Sequence, residues 1–381
     1  MKKNLIILAS LFCASAAFVA CDDENESGSK THDITVTEGV FVVNSGNSYN
    51  GIAGSLTTYS PYTGANSTDA FAAVNGRSLG ATPNDGIAYG SKIYLVVDGE
   101  NRIEVLDAAT LKATTPISTI ALLGETEGVS PRHILALDGR LYVSTFGGVV
   151  AAIDTTDYSL AAKYKVGAYP EGMAVSEGKL WVANSSYGDG QQPSLSIIDL
   201  SSGAVETLED EAIKNPSTLL AVGGSVYVME GDLYDWQTWA VVSAGGLRKV
   251  TGRTVERVVD GGMAMGANQM AAKDDVIYMI KDAYTAPVCL TYNTRSGAVS
   301  EMPLEGLVAA NAINVDQTTG EIYVLSYSQS AEVSEYTQAD YNAPGFANRY
   351  DALGHLVATF PIGVGPTAIF FRQGVVQVAY E

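Results

Sequence analysis

Residues 131–154, PRHILALDGRLYVSTFGGVVAAID, hold a pattern that recurs along the chain. A proline opens a short apolar run and a DG pair turns it. An alternating run with an aromatic (LYVSTF) follows, and a third run ends in Asp. Pro83, Pro131, Pro170 and Pro216 open such units at intervals of about 39–48 residues, the period of a four-stranded propeller blade. Alternation in IYLVV and LYVST marks strands. A lone unit cannot bury both its faces, so the units must stack, and stacking around a ring removes exposed edges.

Innermost strands are expected at Ile87, Ile134, Met173, Leu219, Met270, Ile313 and Ile369. The predicted fold is therefore all-β: a seven-bladed β-propeller of four-stranded antiparallel blades over residues 37–381, with eight blades as the alternative. Strands at 40–44 and 56–59, with a weaker one at 71–74, are expected to complete the blade that the last strand begins. A further strand-like run at 375–380 leaves one strand too many at that closure. The 39 Gly and 21 Tyr suit a chain of turns and strands.

Residues 1–20 read as a leader: Lys2 and Lys3, an apolar run at 5–12, then small residues up to Ala20. The end FVAC resembles a bacterial lipobox, with Phe18 where Leu is usual. It makes Cys21 the expected lipidation site; the alternative is an ordinary leader cut near a chance cysteine. Residues 21–36 are acidic and polar and are expected to be a flexible tether. With Cys13 in the leader and Cys21 as anchor, Cys289 is left alone, so no internal disulfide is expected. The formal charge of −20 argues against nucleic acid, whose backbone needs clustered Lys and Arg.

Catalytic patterns are thin. Of three histidines, His32 lies in the tether, His133 at a unit start and His355 near the last outer strand. There is no HExxH, no paired Cys and no GxSxG, so no catalytic residue or metal centre is assigned. GDLYD and YGDGQ could offer oxygen ligands to calcium, but neither matches an EF-hand ladder.

Binding is better signalled. In a propeller the loops between strands b and c, and those joining one blade to the next, share a face, and variable loops on a rigid scaffold usually carry recognition. Candidates on the b–c loops are Tyr49, Arg102, Phe146, Tyr187, Tyr234, Trp236, Trp239, Tyr284 and Tyr327. Candidates on the connecting loops are Arg77, Asn84, Arg132, His133, Tyr169, Asn268 and Asn311. Tyr and Trp supply rigid contact area, and Asn suits a neutral ligand rich in amides or hydroxyls. For each aromatic, packing against its own blade is the competing role.

The lipobox, the acidic run behind it, and units such as PEGMAVSEGKLWVANSSYGDG and PSLSIIDLSSG resemble the YncE-like, surface-layer-like propeller lipoproteins of gut Bacteroidetes. Within them the chain looks like the BtuG-like surface cobalamin-binding lipoproteins. The resemblance implies a protein of the outer membrane, facing the exterior and held only by its lipid. It implies capture of cobalamin (vitamin B12) as cargo and delivery to a TonB-dependent barrel transporter, with no reaction and no cofactor. Arg77, Arg102 or Arg132 would then meet the nucleotide phosphate. A glycan- or glycopeptide-binding lipoprotein, and a propeller lyase or lactonase centred on His133, are the alternatives.

Overall fold

The computed structural model describes residues 31–185, 192–235, 237–238, 240–261, 270–334 and 337–379. The chain divides into two units. The smaller comprises Met1–Ile34 and Val375–Glu381. Its described residues are extended strand ends that expose Ile34, Val375, Val376 and Val378. Strand thus begins at Thr31, inside the stretch expected to be tether.

The larger unit, Thr35–Gly374, is all-β and propeller-like. Among the described residues there are seven four-stranded sheets and two two-stranded hairpins. Pro131–Leu137, Arg140–Thr145, Val149–Asp154 and Leu160–Lys165 form one sheet by simple antiparallel meander. The sheets that start at Pro83, Pro170, Pro216, Met270 and Ala310 follow the same order, two of them with a hairpin inserted between the second and third strands. In the seventh, the C-terminal strand Pro366–Ala379 lies beside the N-terminal strand Thr31–Asn44, followed by Ser55–Tyr59 and Asn66–Ser67.

Two expectations are corrected at this junction. The run at 71–74 is not a strand but part of the α-helix Ala70–Asn75. Asp69 caps it by accepting the Ala72 amide, Gly76 ends it with φ 66°, and only Ala70 and Phe71 are buried. An Ala-rich turn with one aromatic anchor packs as readily in a helix as in a strand. The run from 375 is not a second strand either: Pro366–Ala379 is continuous, so Val40 and its neighbours flank Ala368.

Alternation places each strand's two faces in different cores. Val40 and Val42 pack with Tyr323, Leu325 and Phe360 of the sheet that starts at Ala310. Phe41 and Val43 pack with Ile93, Leu95 and Val97 of the sheet that starts at Pro83. Five further clusters lie between successive sheets in the same manner. Each fully buried Val, Leu or Ile contributes roughly 1.5–3 kcal/mol. The Asp or Asn that closes strand c folds the next turn: Asp107, Asp154, Asp199 and Asn293 accept amides two or three residues on. Such side-chain turns explain why the pattern ends in Asp.

Candidate functional site

The connecting loops and the b–c loops meet on one face through a repeated backbone latch. At six inner strands, among the described residues, the residue before the strand presents its carbonyl to the amide that follows strand b. The pairs are Thr82 and Asp98 (3.2 Å), Ser130 and Phe146 (3.1 Å), Tyr169 and Ser185 (3.1 Å), Asn215 and Gly231 (3.2 Å), Ala309 and Tyr327 (3.2 Å), and Gly365 and Ser45 (2.6 Å). Thr82, Ser130, Tyr169 and Ala309 adopt φ of 47°, 48°, 48° and 39°. Residues with a Cβ hold this conformation only where the surroundings enforce it. The latches therefore give a loop face with little freedom.

One side of this face is a wall of tyrosines. Tyr284 packs against Tyr327 (ring centroids 6.3 Å apart) and Tyr341 (6.5 Å), which meet each other edge to face at 5.0 Å. The Tyr284 hydroxyl donates to Asn311 Oδ1 at 2.5 Å, and Asn311 Nδ2 donates to the Pro366 carbonyl at 2.6 Å. The Tyr284 carbonyl accepts the Gln338 amide at 2.7 Å. Burial, and then the nearby phenols of Tyr327, Tyr341 and Tyr234, hold the Tyr284 hydroxyl well above the usual phenol range. Tyr327 is pushed up to about 12, first by burial. The Tyr284 and Tyr327 phenols stay neutral hydrogen-bonding groups at any physiological pH.

Opposite Tyr327 and Tyr341 stands Tyr49, 99% exposed. A cavity of about 380 Å³ lies between them, lined also by Gly46, Asn47, Ser48 and Thr82. Tyr49 is carried on a single 3-10 turn, Ser48–Asn50, ended by Gly51 at φ 70°. That turn is clamped across the cavity: Asn342 Oδ1 accepts from Asn47 Nδ2 at 3.0 Å and from Asn50 Nδ2 at 2.6 Å. Among the described residues, no charged side chain lines the cavity. It offers aromatic faces, hydroxyls and amides, a set that suits an uncharged ligand with apolar surface and many polar groups.

A second cluster is ionic. Arg132 meets Asp98 (2.7 Å) and Glu171 (3.0 Å) and lies 4.6 Å over the Phe146 ring, which packs edge-on against Tyr169. Asn84 Nδ2 donates to the Arg132 carbonyl at 2.7 Å. His133 is buried, with Nδ1 3.1 Å from Asp85 and Nε2 3.5 Å from Glu171. Burial disfavours its charged form, but the bonds to Asp85 and Glu171 outweigh that and raise its pKa to about 9. Burial likewise opposes the Glu171 charge, yet Arg132 and His133 hold its carboxyl below the usual range. The cluster sets two cations against three carboxylates and staples neighbouring inner strands.

The structure thus brings Tyr49, Tyr234, Tyr284, Asn311 and Tyr327 into one region, and Asn84, Arg132, His133, Phe146 and Tyr169 into another. Arg77 and Arg102 sit elsewhere, both engaged by the fully buried Glu104, at 2.8 and 2.7 Å. Tyr187, Trp236, Trp239, Asn268 and Cys21 lie outside the described residues. Asn47, Thr82 and Asn342 carry no sequence signal of their own, and Tyr341 stands out only as an aromatic of the 327–345 loop; the two asparagines become meaningful only as a pair 295 positions apart.

Among solved structures, the chain is similar to hydrazine synthase from Kuenenia stuttgartiensis, at 16% identity over 78% of this chain and 96% of that one, with a TM-score of 0.55. It is similar to a putative 6-phosphogluconolactonase from Bacteroides uniformis, at 10% identity over 88% and 100%, with a TM-score of 0.58. The computationally designed Ika8 protein matches at 11% identity over 78% and 93%, with a TM-score of 0.50. At such identities these likenesses speak to the fold alone. No curated protein matches the sequence. A family model does match, over residues 38–343, and on that match the chain belongs to the family described as Domain of unknown function (DUF5074).

Proposed function

We propose that this protein is a capture lipoprotein: a closed seven-bladed ring, tethered to the outer membrane through Cys21 and facing the exterior. It takes cobalamin on its loop face and passes it to a TonB-dependent barrel transporter, without chemistry of its own. The observation that carries the reading is the tyrosine-walled cavity with Tyr49 held fully in solvent beside it. A fully exposed aromatic on a clamped turn has no packing role, and it is preorganised for a partner.

Cobalamin presents peripheral amides, methyl groups and a broad corrin face. The cavity of about 380 Å³ takes one flank of so large a ligand, and Tyr284 backs its wall through Tyr327 and Tyr341. Asn47, Ser48 and Thr82 match amides. The nucleotide phosphate is not assigned to Arg77, Arg102 or Arg132, because each already serves one or more carboxylates.

The catalytic alternative draws on the likeness to a putative lactonase but centres on His133, which lies between Asp85 and Glu171 and does not line the cavity. The glycan alternative uses the same tyrosines. Titration calorimetry with cobalamin and with neutral oligosaccharides separates the readings. Binding of cobalamin alone supports the proposal; binding of oligosaccharide alone overturns it.

A further inference from the structure

The sequence contains two Asn-Gly dipeptides, Asn50-Gly51 and Asn75-Gly76. Both glycines take positive φ, 70° and 66°. The asparagines are held very differently. Asn75 Nδ2 donates to the carbonyls of Phe71 and Leu111, both at 3.0 Å, and Asn75 Oδ1 accepts the Ala113 amide at 2.8 Å. Its carboxamide is pinned on both sides. Asn50 is exposed, and its side chain is held through Nδ2 alone, by the exposed Asn342. A Cβ at Gly51 or at Gly76 would meet nothing within 4 Å, so the peptide after each asparagine is open and the side-chain bonds are what set the two sites apart.

We infer that Asn50-Gly51 is a self-modification site placed in the clamp of the loop-face cavity. The Gly51 amide nitrogen attacks Asn50 Cγ, and Nδ2 leaves as ammonia. The five-membered imide then takes up one water and opens to an aspartyl or isoaspartyl link. One ammonia is released, one water is consumed and nothing is oxidised. The Gly51 N–H donates to the Ser48 carbonyl at 3.2 Å, a contact that the attack must break. The departing Nδ2 is the group that donates to Asn342 Oδ1. Conversion therefore replaces a donor–acceptor pair by two acceptors, one of them charged, and the turn that carries Tyr49 loses one of its two side-chain bonds to Asn342. The inference concerns the covalent chemistry of the chain and stands apart from the identity of the ligand.

The test is peptide mapping by mass spectrometry after incubation in mildly alkaline buffer, with a denatured sample as control. In the denatured chain both sites should convert alike. In the folded protein Asn50 should convert roughly tenfold faster than Asn75 or more, since Asn75 must first open its three bonds. Equal conversion in the fold, or conversion of Asn50 in the denatured sample only, would overturn the inference. The consequence is read separately on Asn50→Asp by hydrogen exchange. The Asn47 and Ile52 amides, which bond each other's carbonyls at 2.9 Å, should exchange several-fold faster than in the unmutated protein. Unchanged exchange would show that the clamp does not depend on Asn50.

Discussion

At the scale of residues, position in the sequence repeat was enough to find the aromatic contacts but not their partners. Tyr49, Tyr284 and Tyr327 were legible because they fall just after a strand b, where packing demands no aromatic. Asp85 and Glu171 stand at unit starts in the sequence too, but their pairing with His133 and Arg132 was not legible, because it depends on distance across a sheet boundary. Those contacts follow the repeat itself: His133 to Asp85 and Asn84 to Arg132 each span 48 positions, and Arg132 to Glu171 spans 39. Residues one unit apart touch, so the period is also a contact vector.

The buried imidazolium makes stability depend on pH. Its pKa is about 9 in the fold, against about 6.5 in the unfolded chain. The contribution is therefore complete below about pH 6.5 and is lost as pH rises through about 9, on the order of 3 kcal/mol in all. Melting temperature measured across that window should fall for the unmutated protein, and His133→Gln should flatten the fall. A profile unaltered by the substitution would remove the staple role. On the loop face, Tyr49→Ala should leave melting unchanged and weaken cobalamin binding about tenfold, roughly 1.4 kcal/mol, as measured by calorimetry.

At the scale of elements, strands were legible where apolar residues alternate and turns where Asp or Asn precedes Ser, Thr or Gly. The helix Ala70–Asn75 was misread because AFAAV carries no strand-specific alternation and its signal, the Asp69 cap, lies outside the apolar run. Removing that cap is a direct check: Asp69→Ala should cost about 1 kcal/mol of stability by denaturant titration. The clamp between the turn Ser48–Asn50 and Asn342 was invisible in sequence, since its two halves belong to the first and the last inserted loops. Asn342→Ala removes the shared acceptor of two bonds. It should raise hydrogen exchange across 45–54 and weaken ligand retention several-fold, with global melting little changed, because both bonds lie at the exposed rim.

At the scale of the whole molecule, the all-β, propeller-like plan follows from the repeat, because a blade with two apolar faces has no stable isolated form. How the ends meet did not follow: two strand-like runs competed for one place, and a continuous Pro366–Ala379 resolved the competition. Truncation at Gly365 would strip Ala368, Ile369 and Phe370 from the cores they share with both neighbouring sheets. The truncated protein should lose cooperative thermal unfolding by circular dichroism. The central claim, capture of cobalamin on the tyrosine-walled face, is tested most directly by gel filtration of the protein mixed with cobalamin, followed at the corrin absorbance. The corrin colour should co-elute with the unmutated protein and separate from a Tyr49→Ala, Tyr327→Ala double variant that remains folded. Cobalamin running free of the unmutated protein would contradict the claim.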